Sequence, residues 1–259
     1  MHQRGGAPRA GRHARAFMEG LVGVLVRMTT TLYEQEVLLA AMDHNLTSVL
    51  TDLLVTSAGG SDEVQRLAAV GLENLSHQSQ MLSQPPPSEE RRPKKKNILQ
   101  RLRDAHASRA HVHDSNNRAQ NGAGAVEALL GVVEGGESPR AVEAALAALL
   151  TLVDDGVADV GAGVAVLAEH DAPRHVLRAL RQHRDGAAVA RRCFWAVERF
   201  LAHGGERCVR EVTGDRALPS LLVSAFHKGD AATKQAAESV LRCLHRMPDY
   251  SATYESVEL

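Results

Sequence analysis

The chain has 259 residues, of which 44% are hydrophobic, 24% are charged and only 3% are aromatic. That apolar fraction can fill a substantial core, and its reliance on Leu, Val and Ala favours an all-α fold over a β-sandwich or barrel. The 30 Lys and Arg residues against 31 Asp and Glu residues give a net charge of −1, so no overall charge points to nucleic acid or an anionic membrane as a partner.

The cysteines and the apolar runs bear on where the protein works. Cys193, Cys208 and Cys243 are widely spaced and form no CxxC pair, which favours a reducing compartment over a disulfide framework or a zinc site. Charged residues such as Glu143 and Asp159 interrupt the apolar runs well short of the roughly 20 residues that cross a membrane. We therefore expect no membrane insertion, and a cytoplasmic location with the nucleus as the alternative.

Four segments align as versions of one amphipathic helix. They cover residues 66–75, 143–152, 191–200 and 235–244. Each has small residues early and a large apolar pair three residues apart, in the order Leu72/Leu75, Leu149/Leu152, Val197/Phe200 and Leu241/Leu244. The pairs are separated by 77, 48 and 44 residues, and the last two spacings lie near the about 40–47 residues of armadillo and HEAT repeats.

Up to two further helices precede this one in each unit, and the shorter of the two is missing from the unit that follows the long first spacing. The first of these has apolar residues at i, i+1 and i+4, and it occurs at residues 49–53, 129–133, 176–180 and 222–226. Pro173 and Pro219 each stand three residues upstream of it, where a helix start tolerates proline. A shorter helix is predicted at residues 37–43, 164–169 and 208–212. Three helices in each unit are typical of armadillo repeats, whereas two would indicate HEAT repeats.

The repeats divide the chain into five segments. We predict a disordered basic N-terminus over 1–16, the first armadillo repeats over 17–76, a disordered Pro, Lys and His-rich insertion over 77–123, further repeats over 124–247 and a C-terminal tail over 248–259. The insertion accounts for the long first spacing. The prediction is a right-handed armadillo α-solenoid of about four to five repeats that carries a disordered basic insertion.

The insertion holds a basic run made of Arg91, Arg92, Lys94, Lys95 and Lys96. A nuclear-import signal or a nucleic-acid contact is one interpretation, and a solvated linker is the more ordinary one. Residues 91–118 contain no aromatic side chain to stack on bases, which weakens the nucleic-acid interpretation.

No motif in the sequence predicts a cofactor or a metal. A phosphate loop, a nucleophile elbow, an HExxH motif and a paired-cysteine site are all missing from the sequence. His106, His111, His113 and Asp114 have a spacing that permits weak metal binding, but a flexible polar loop is more typical of such a stretch.

The candidate binding surface lies on the third helix of each unit, where residues four apart stand side by side. The alignment gives these outward pairs: Val70/Asn74, Ala147/Thr151, Trp195/Arg199 and Ser239/Cys243. Trp195 is the only tryptophan, and with Arg199 one turn away it has the makeup of a binding hot spot. An equally weighted interpretation is that Trp195 only fills the gap between repeats.

Three segments, 64–76, 142–156 and 195–199, strongly resemble the C-terminal armadillo region of plant U-box ubiquitin ligases. The resemblance runs from about Glu19 to the C-terminus. It implies that the repeats line a concave face with their third helices and select substrates or membrane-associated receptor partners. In that family the U-box binds a ubiquitin-conjugating enzyme, and the length and helical pattern here leave no room for one. We expect no ligase activity from this chain alone.

The resulting expectation is a protein-protein interaction module for substrate or partner recognition in ubiquitination, which meets a ubiquitin-conjugating enzyme only if a U-box is supplied. Trp195→Ala and Arg199→Glu are expected to weaken partner binding while leaving the fold intact. The alternative is a non-ligase armadillo scaffold or a nuclear-transport-type adaptor. A peptide clamp of the importin kind would repeat a Trp and Asn pair, whereas Asn74 here lacks the Trp. An enzyme with its own active site is disfavoured, since no nucleophile, base and orienting group stand at a recognisable spacing.

Overall fold

The computed structural model describes residues 7–30, 46–57, 60–81, 124–157 and 159–247. All regular secondary structure within these ranges is α-helical, which confirms the all-α prediction. The chain divides into two compact units, Met1–Val132 and Val133–Leu259.

The described residues of the first unit are built around one long helix that packs against two others. These helices are α1 (Ala7–Thr30), α2 (Leu46–Thr56) and α3 (Asp62–Met81). Helix α3 contacts both α1 and α2. Its Val64 is buried with Val22 and Val26 of α1, and Leu53 of α2 packs against the same cluster. A fourth helix, α4 (Ala125–Gly135), spans the boundary between the units.

Helix α3 begins where Ser61 caps it. The Ser61 hydroxyl accepts a hydrogen bond from the Val64 amide at 3.3 Å and donates one to Glu19 Oε1 at 2.8 Å. Hydrogen bonds from Arg15 and Ser61 hold the pKa of Glu19 below its ordinary value. The cap therefore also ties the start of α3 to α1.

The second unit contains two successive sets of three helices. The described helices are α5 (Pro139–Leu150), α6 (Val160–Glu169), α7 (Ala172–Gln182), α8 (Ala187–His203), α9 (Glu206–Thr213), α10 (Leu218–Lys228) and α11 (Ala231–His245). After α5, the helices α6, α7 and α8 form the first set, with lengths of 10, 11 and 17 residues. Helices α9, α10 and α11 form the second set, with lengths of 8, 11 and 15 residues. The long helix α8 lies at the centre and contacts α5, α6, α7, α9 and α11.

Local sequence signals explain where these helices begin. Proline occupies the first turn of α5, α7 and α10, where its missing N–H has no helical partner to lose. Asp159 and Asp230 cap α6 and α11, because their carboxylates accept from the backbone N–H three residues on. Hydrogen bonds from the side chain and the backbone of Thr233 hold the pKa of Asp230 below its ordinary value.

Close packing requires a glycine in α6. A Cβ atom on Gly163 would lie 2.0 Å from the Leu152 carbonyl oxygen, which belongs to the turn after α5. That distance is far inside van der Waals contact, so only glycine allows α6 to cross so near this backbone. By contrast, a Cβ on Gly161 of the same helix would lie no closer than 3.4 Å to any atom.

The structure confirms most of the helix predictions and changes their ends. Every predicted helix that falls on described residues lies within an observed helix, apart from residues 151–152, which lie in the turn after α5. Helix α1 starts at Ala7, inside the stretch that was expected to be disordered, and α3 continues to Met81 rather than stopping at residue 76. The short helix predicted at 37–43 lies outside the described residues.

Candidate functional site

Two of the predicted site residues, Trp195 and Arg199, lie one turn apart on α8. One side of this helix is apolar and buried, with Cys193, Phe194, Val197 and Phe200 each at most 1% exposed. Trp195 is half-buried, and Arg199 follows one turn later with only 9% of its surface exposed. The helical period thus brings an aromatic ring and a guanidinium group together at the edge of the core.

Arg199 is held by an aromatic ring and two carboxylates. Its Cζ atom lies 5.6 Å from the centroid of the Trp195 ring, within cation-π range. Its Nη2 atom is 2.7 Å from Asp155 Oδ1, in the turn after α5, and its Nε atom is 3.4 Å from Glu198 Oε2. The Nε atom is buried and has no hydrogen bond of good geometry, so the ion pair with Asp155 is the stronger attachment.

Helix α11 carries the predicted site residue Cys243, which is half-buried. Burial raises the pKa of Cys243, and the charge of Glu198 raises it further, while Arg199 is among the cations that lower it. We call Asp155, Trp195, Glu198 and Arg199 the Arg199 cluster.

The cluster suits recognition better than nucleophilic chemistry. A thiol reacts as its thiolate, and burial raises the pKa of all three cysteines, to about 11 at Cys208. At neutral pH they are therefore poor nucleophiles. Among the described residues, no group of three or more His, Cys, Asp and Glu side chains is placed to hold a metal ion.

A small cavity lies elsewhere in the second unit, where α7 and α10 end and α8 and α11 begin. Its volume is about 100 Å³, and its lining includes Leu180, Phe194, Leu221, Arg184 and Lys228. Ligand pockets in proteins usually measure about 300–1,000 Å³, so this cavity is too small for a typical cofactor.

Comparison with known proteins places this geometry in context. U-box domain-containing protein 42 of Arabidopsis thaliana is 40% identical over 260 residues, which cover 96% of this chain and 25% of that protein. U-box domain-containing protein 24 of Oryza sativa subsp. japonica is 38% identical over 258 residues, which cover 95% of this chain and 30% of that protein. The chain matches a partial region of the plant U-box proteins.

A third U-box protein supports the same relationship. U-box domain-containing protein 44 of Arabidopsis thaliana is 34% identical over 258 residues, 95% of this chain and 31% of that protein. The chain therefore spans about a quarter to a third of the length of its U-box relatives. No family model and no solved structure matches it.

Three of the outward positions predicted for this U-box-related chain, Ala147, Thr151 and Arg199, are buried. Thr151 is 2% exposed, and its hydroxyl donates to the Ala148 carbonyl at 2.7 Å. Its predicted outward orientation is wrong, because the chain leaves α5 at residue 150 and the following turn is covered. Arg199 is also buried, so the expectation that Arg199→Glu leaves the fold intact conflicts with its two carboxylate neighbours.

The remaining predicted residues are less buried, but several of them pack or form hydrogen bonds within the fold. Val70 packs against the core cluster of the first unit. Asn74 is half-buried, and its side-chain amide donates to Thr29 Oγ1 at 3.0 Å. The Ser239 hydroxyl donates to the Gln235 carbonyl at 3.2 Å. Of the predicted positions, Trp195 and Arg199 contact each other on α8.

Several predictions fall on residues that the structure leaves out. The basic run Arg91, Arg92, Lys94, Lys95 and Lys96 lies outside the described residues, as do His106, His111, His113 and Asp114. Their proposed roles stay predictions. Among the helices that the structure does describe, none combines the length and the apolar character that crossing a membrane requires.

Asp155 and Glu198 were missed by the sequence reasoning. Glu198 has a weak local signal, since it adjoins Arg199 in the helix. Asp155 has none, because no periodic pattern connects a turn with a helix 44 residues later. Its role depends on the packing of α8 against α5.

Proposed function

We propose that this chain is an armadillo-repeat module that binds another protein and recognises a substrate or receptor-type partner in protein ubiquitination. Its similarity to plant U-box domain-containing proteins supports the ubiquitination context. The repeated order of short, medium and long helices in α6–α8 and α9–α11 supports the armadillo assignment. In such a solenoid the long helices α5, α8 and α11 form the ladder that a partner contacts, and α8 packs between the other two.

The Arg199 cluster is the observation that carries this proposal. Trp195 is partly accessible, and its ring is fixed in place by a guanidinium group that is itself held by Asp155. A pre-oriented aromatic side chain loses little conformational entropy on binding, which is why such residues dominate interface energetics.

The charges of the cluster indicate what kind of partner it fits. Arg199 is paired with the carboxylates of Asp155 and Glu198. The side chain of Asp155 is 80% exposed. We propose a partner segment that places an apolar side chain on Trp195 and a Lys or Arg beside Asp155.

The recognition step is testable with peptides selected on the wild-type chain. Dissociation constants of the selected peptides are measured by fluorescence anisotropy for the wild type, Trp195→Ala and Phe226→Ala. Phe226 is a suitable control because it is an aromatic residue of the same unit and is 36% exposed. It lies on α10, the middle helix of its set, and not on one of the long helices that are proposed to bind the partner. Trp195→Ala is expected to weaken binding at least about tenfold. Phe226→Ala is expected to change it less than about twofold.

Circular dichroism and thermal melting accompany each binding measurement. Equal losses in the two variants, or a loss that follows a loss of helicity, would contradict recognition through Trp195. Dissociation constants that neither substitution changes would show that the peptides bind at a surface other than the Arg199 cluster.

The ubiquitination step needs a second assay. The chain alone and the chain fused behind a U-box are incubated with ubiquitin, activating enzyme and a panel of conjugating enzymes, together with a protein that carries a selected peptide. We expect ubiquitin transfer to the carrier only from the fusion, and much less of it from the Trp195→Ala fusion. Activity of the unfused chain would show that it recruits a conjugating enzyme by itself.

The alternative of a non-ligase scaffold or nuclear-transport-type adaptor makes a different prediction for the fusion. It predicts tight peptide binding without transfer to the bound carrier. We place the module in the cytoplasm, and the run Arg91–Lys96 is a proposed nuclear-import signal. Substitution of these five cations by Ala is expected to remove nuclear accumulation of a fluorescent fusion if that role is correct.

A further inference from the structure

Arg192 of α8 is a partly buried cation that has no partner within the described structure. The residue is half-buried, and its Nε atom is buried and forms no hydrogen bond. Other arginines of α8 are paired: Arg191 lies 3.8 Å from Asp230, and Arg199 lies 2.7 Å from Asp155. Arg192 forms no such ion pair with any described residue. An unpaired buried donor costs free energy, so this side chain calls for a physical explanation.

The helical period places Arg192 on the same side of α8 as Trp195. The two residues are three positions apart, which is about 4.5 Å along the helix axis, and Arg199 follows about 6 Å further on. In the alignment of the long helices, the positions equivalent to Arg192 are Ala144 of α5 and Ala236 of α11. Alanine at both positions offers the guanidinium no acceptor and fills little of the space beside it.

Partial burial strengthens the attraction of Arg192 for an anion. Its Nε atom is buried, whereas its terminal nitrogens are not, so an approaching oxyanion can reach them. Electrostatic attraction is stronger where water is excluded, and no carboxylate of the described residues neutralises this charge. A guanidinium presents N–H donors in a planar fork that matches the oxygens of a carboxylate or a phosphate.

The surface around Trp195 carries opposite charges at its two ends. Arg192 lies on the N-terminal side of Trp195, whereas Glu198 and the pair of Asp155 with Arg199 lie on its C-terminal side. A partner that complements both ends carries a negative, an apolar and a positive group in that order.

We propose that Arg192 binds an oxyanion of the partner peptide, beside the apolar side chain that contacts Trp195. The proposal rests on the proposed function, because it adds a contact to the same binding surface. Alternate residues of an extended peptide share one face and lie about 7 Å apart. The oxyanion therefore belongs to a residue two positions from the apolar one, either the carboxylate of Asp or Glu or the phosphate of a phosphorylated residue.

Fluorescence anisotropy tests this contact with peptides selected on the wild-type chain from a library that includes phosphoserine. The key variant is Arg192→Met, which removes the charge and keeps an unbranched stem of similar length. The matched control is Arg174→Met, because Arg174 is an exposed arginine on α7 of the same unit. Arg192→Met is expected to raise the dissociation constant at least about fivefold, and Arg174→Met less than about twofold.

A change in the peptide tests the pairing directly. Replacing its acidic residue by the neutral amide should weaken binding to the wild type by a similar factor and have little further effect on Arg192→Met. Phosphoserine at that position distinguishes the two sources of the oxyanion. Tighter binding than with glutamate would assign the contact to a phosphate, and otherwise it belongs to a carboxylate.

Thermal melting separates recognition from a structural role. Because the buried Nε atom has no acceptor among the described residues, Arg192→Met is expected to leave the melting temperature unchanged or to raise it. A fall in melting temperature that accompanies the loss of binding would indicate a structural role and would overturn the proposal.

The oxyanion contact and recognition through Trp195 fail in different ways. If Trp195→Ala weakens binding while Arg192→Met and the neutral peptide do not, the oxyanion contact is wrong and the surface around Trp195 remains. If Arg192→Met weakens binding and Trp195→Ala does not, recognition through Trp195 is wrong and the Arg192 contact remains. Selected peptides that carry no acidic or phosphorylated residue two positions from an apolar one would also overturn the oxyanion contact.

Discussion

Replacing Arg199 by Glu reverses the charge at the centre of the Arg199 cluster. The wild-type guanidinium lies 2.7 Å from Asp155 and 3.4 Å from Glu198, and its side chain is only 11% exposed. A glutamate there would exchange two attractions for two repulsions at a position that water barely reaches.

The size of the effect depends on how well solvent screens each contact. Two unit charges 4 Å apart interact by about 4 kcal/mol at an effective dielectric constant of 20. Because the side chain of Asp155 is 80% exposed, its share is reduced to about 1 kcal/mol, whereas Glu198, at 22%, keeps more of its share. We expect Arg199→Glu to lower the free energy of unfolding by about 2–4 kcal/mol in total. At about 2–4 °C for each kcal/mol, the melting temperature should fall by roughly 5–15 °C.

Thermal and urea unfolding, followed by circular dichroism, measure this loss. The matched control is Arg178→Glu, because Arg178 contacts Glu134 at 2.6 Å but is 49% exposed. That exposed pair should contribute less than about 1 kcal/mol. The swap Asp155→Arg with Arg199→Glu should recover at least about half of the loss. Equal costs for the two glutamate variants, or no recovery in the swap, would refute the account of Arg199 as a buried charge held by Asp155.

Three other predictions follow from single sites. Gly163→Ala should destabilise the chain by about 2–4 kcal/mol in urea unfolding, while Gly161→Ala in the same helix should cost little; similar costs would contradict the close crossing of α6. In the native chain a thiol reagent at pH 8 should label half-buried Cys243 before fully buried Cys193, and an equal rate for both would show that the core opens readily. The lowered pKa of Asp230 means that its contribution to stability is present above its unfolded value, about 3.8, and is lost as the pH falls through the lower folded value. The melting-temperature deficit of Asp230→Ala should thus be constant above about pH 5 and shrink below about pH 4, and a deficit that grows in acid would contradict the sign.

The positions of the helices were accessible from sequence because their signals are local. Pro173 and Pro219 mark helix starts, and apolar residues three and four apart mark the buried sides of α8 and α11. These signals involve residues that are close together in sequence, so a single sequence is enough to recognise them. The start of α1 was missed because its first ten residues are basic and glycine-bearing, and they resemble a disordered terminus.

The candidate site was only partly accessible in the same way. The helical period places Trp195 beside Arg199, and the structure retains that contact. The period does not determine whether a side chain is covered, as the burial of Thr151 demonstrates. Burial depends on which element crosses above a residue, and that crossing brings together segments far apart in sequence.

The sequence by itself determined the helical composition, the repeat order and the resemblance to plant U-box proteins, because periodicity and motif spacing are properties of neighbouring residues. Only the tertiary structure decided that Asp155 holds Arg199 and that Gly163 must lack a side chain. Each of these is a contact between segments separated by a turn or by whole helices. Such relations are fixed when the packed helices minimise exposed apolar surface and unpaired charge together.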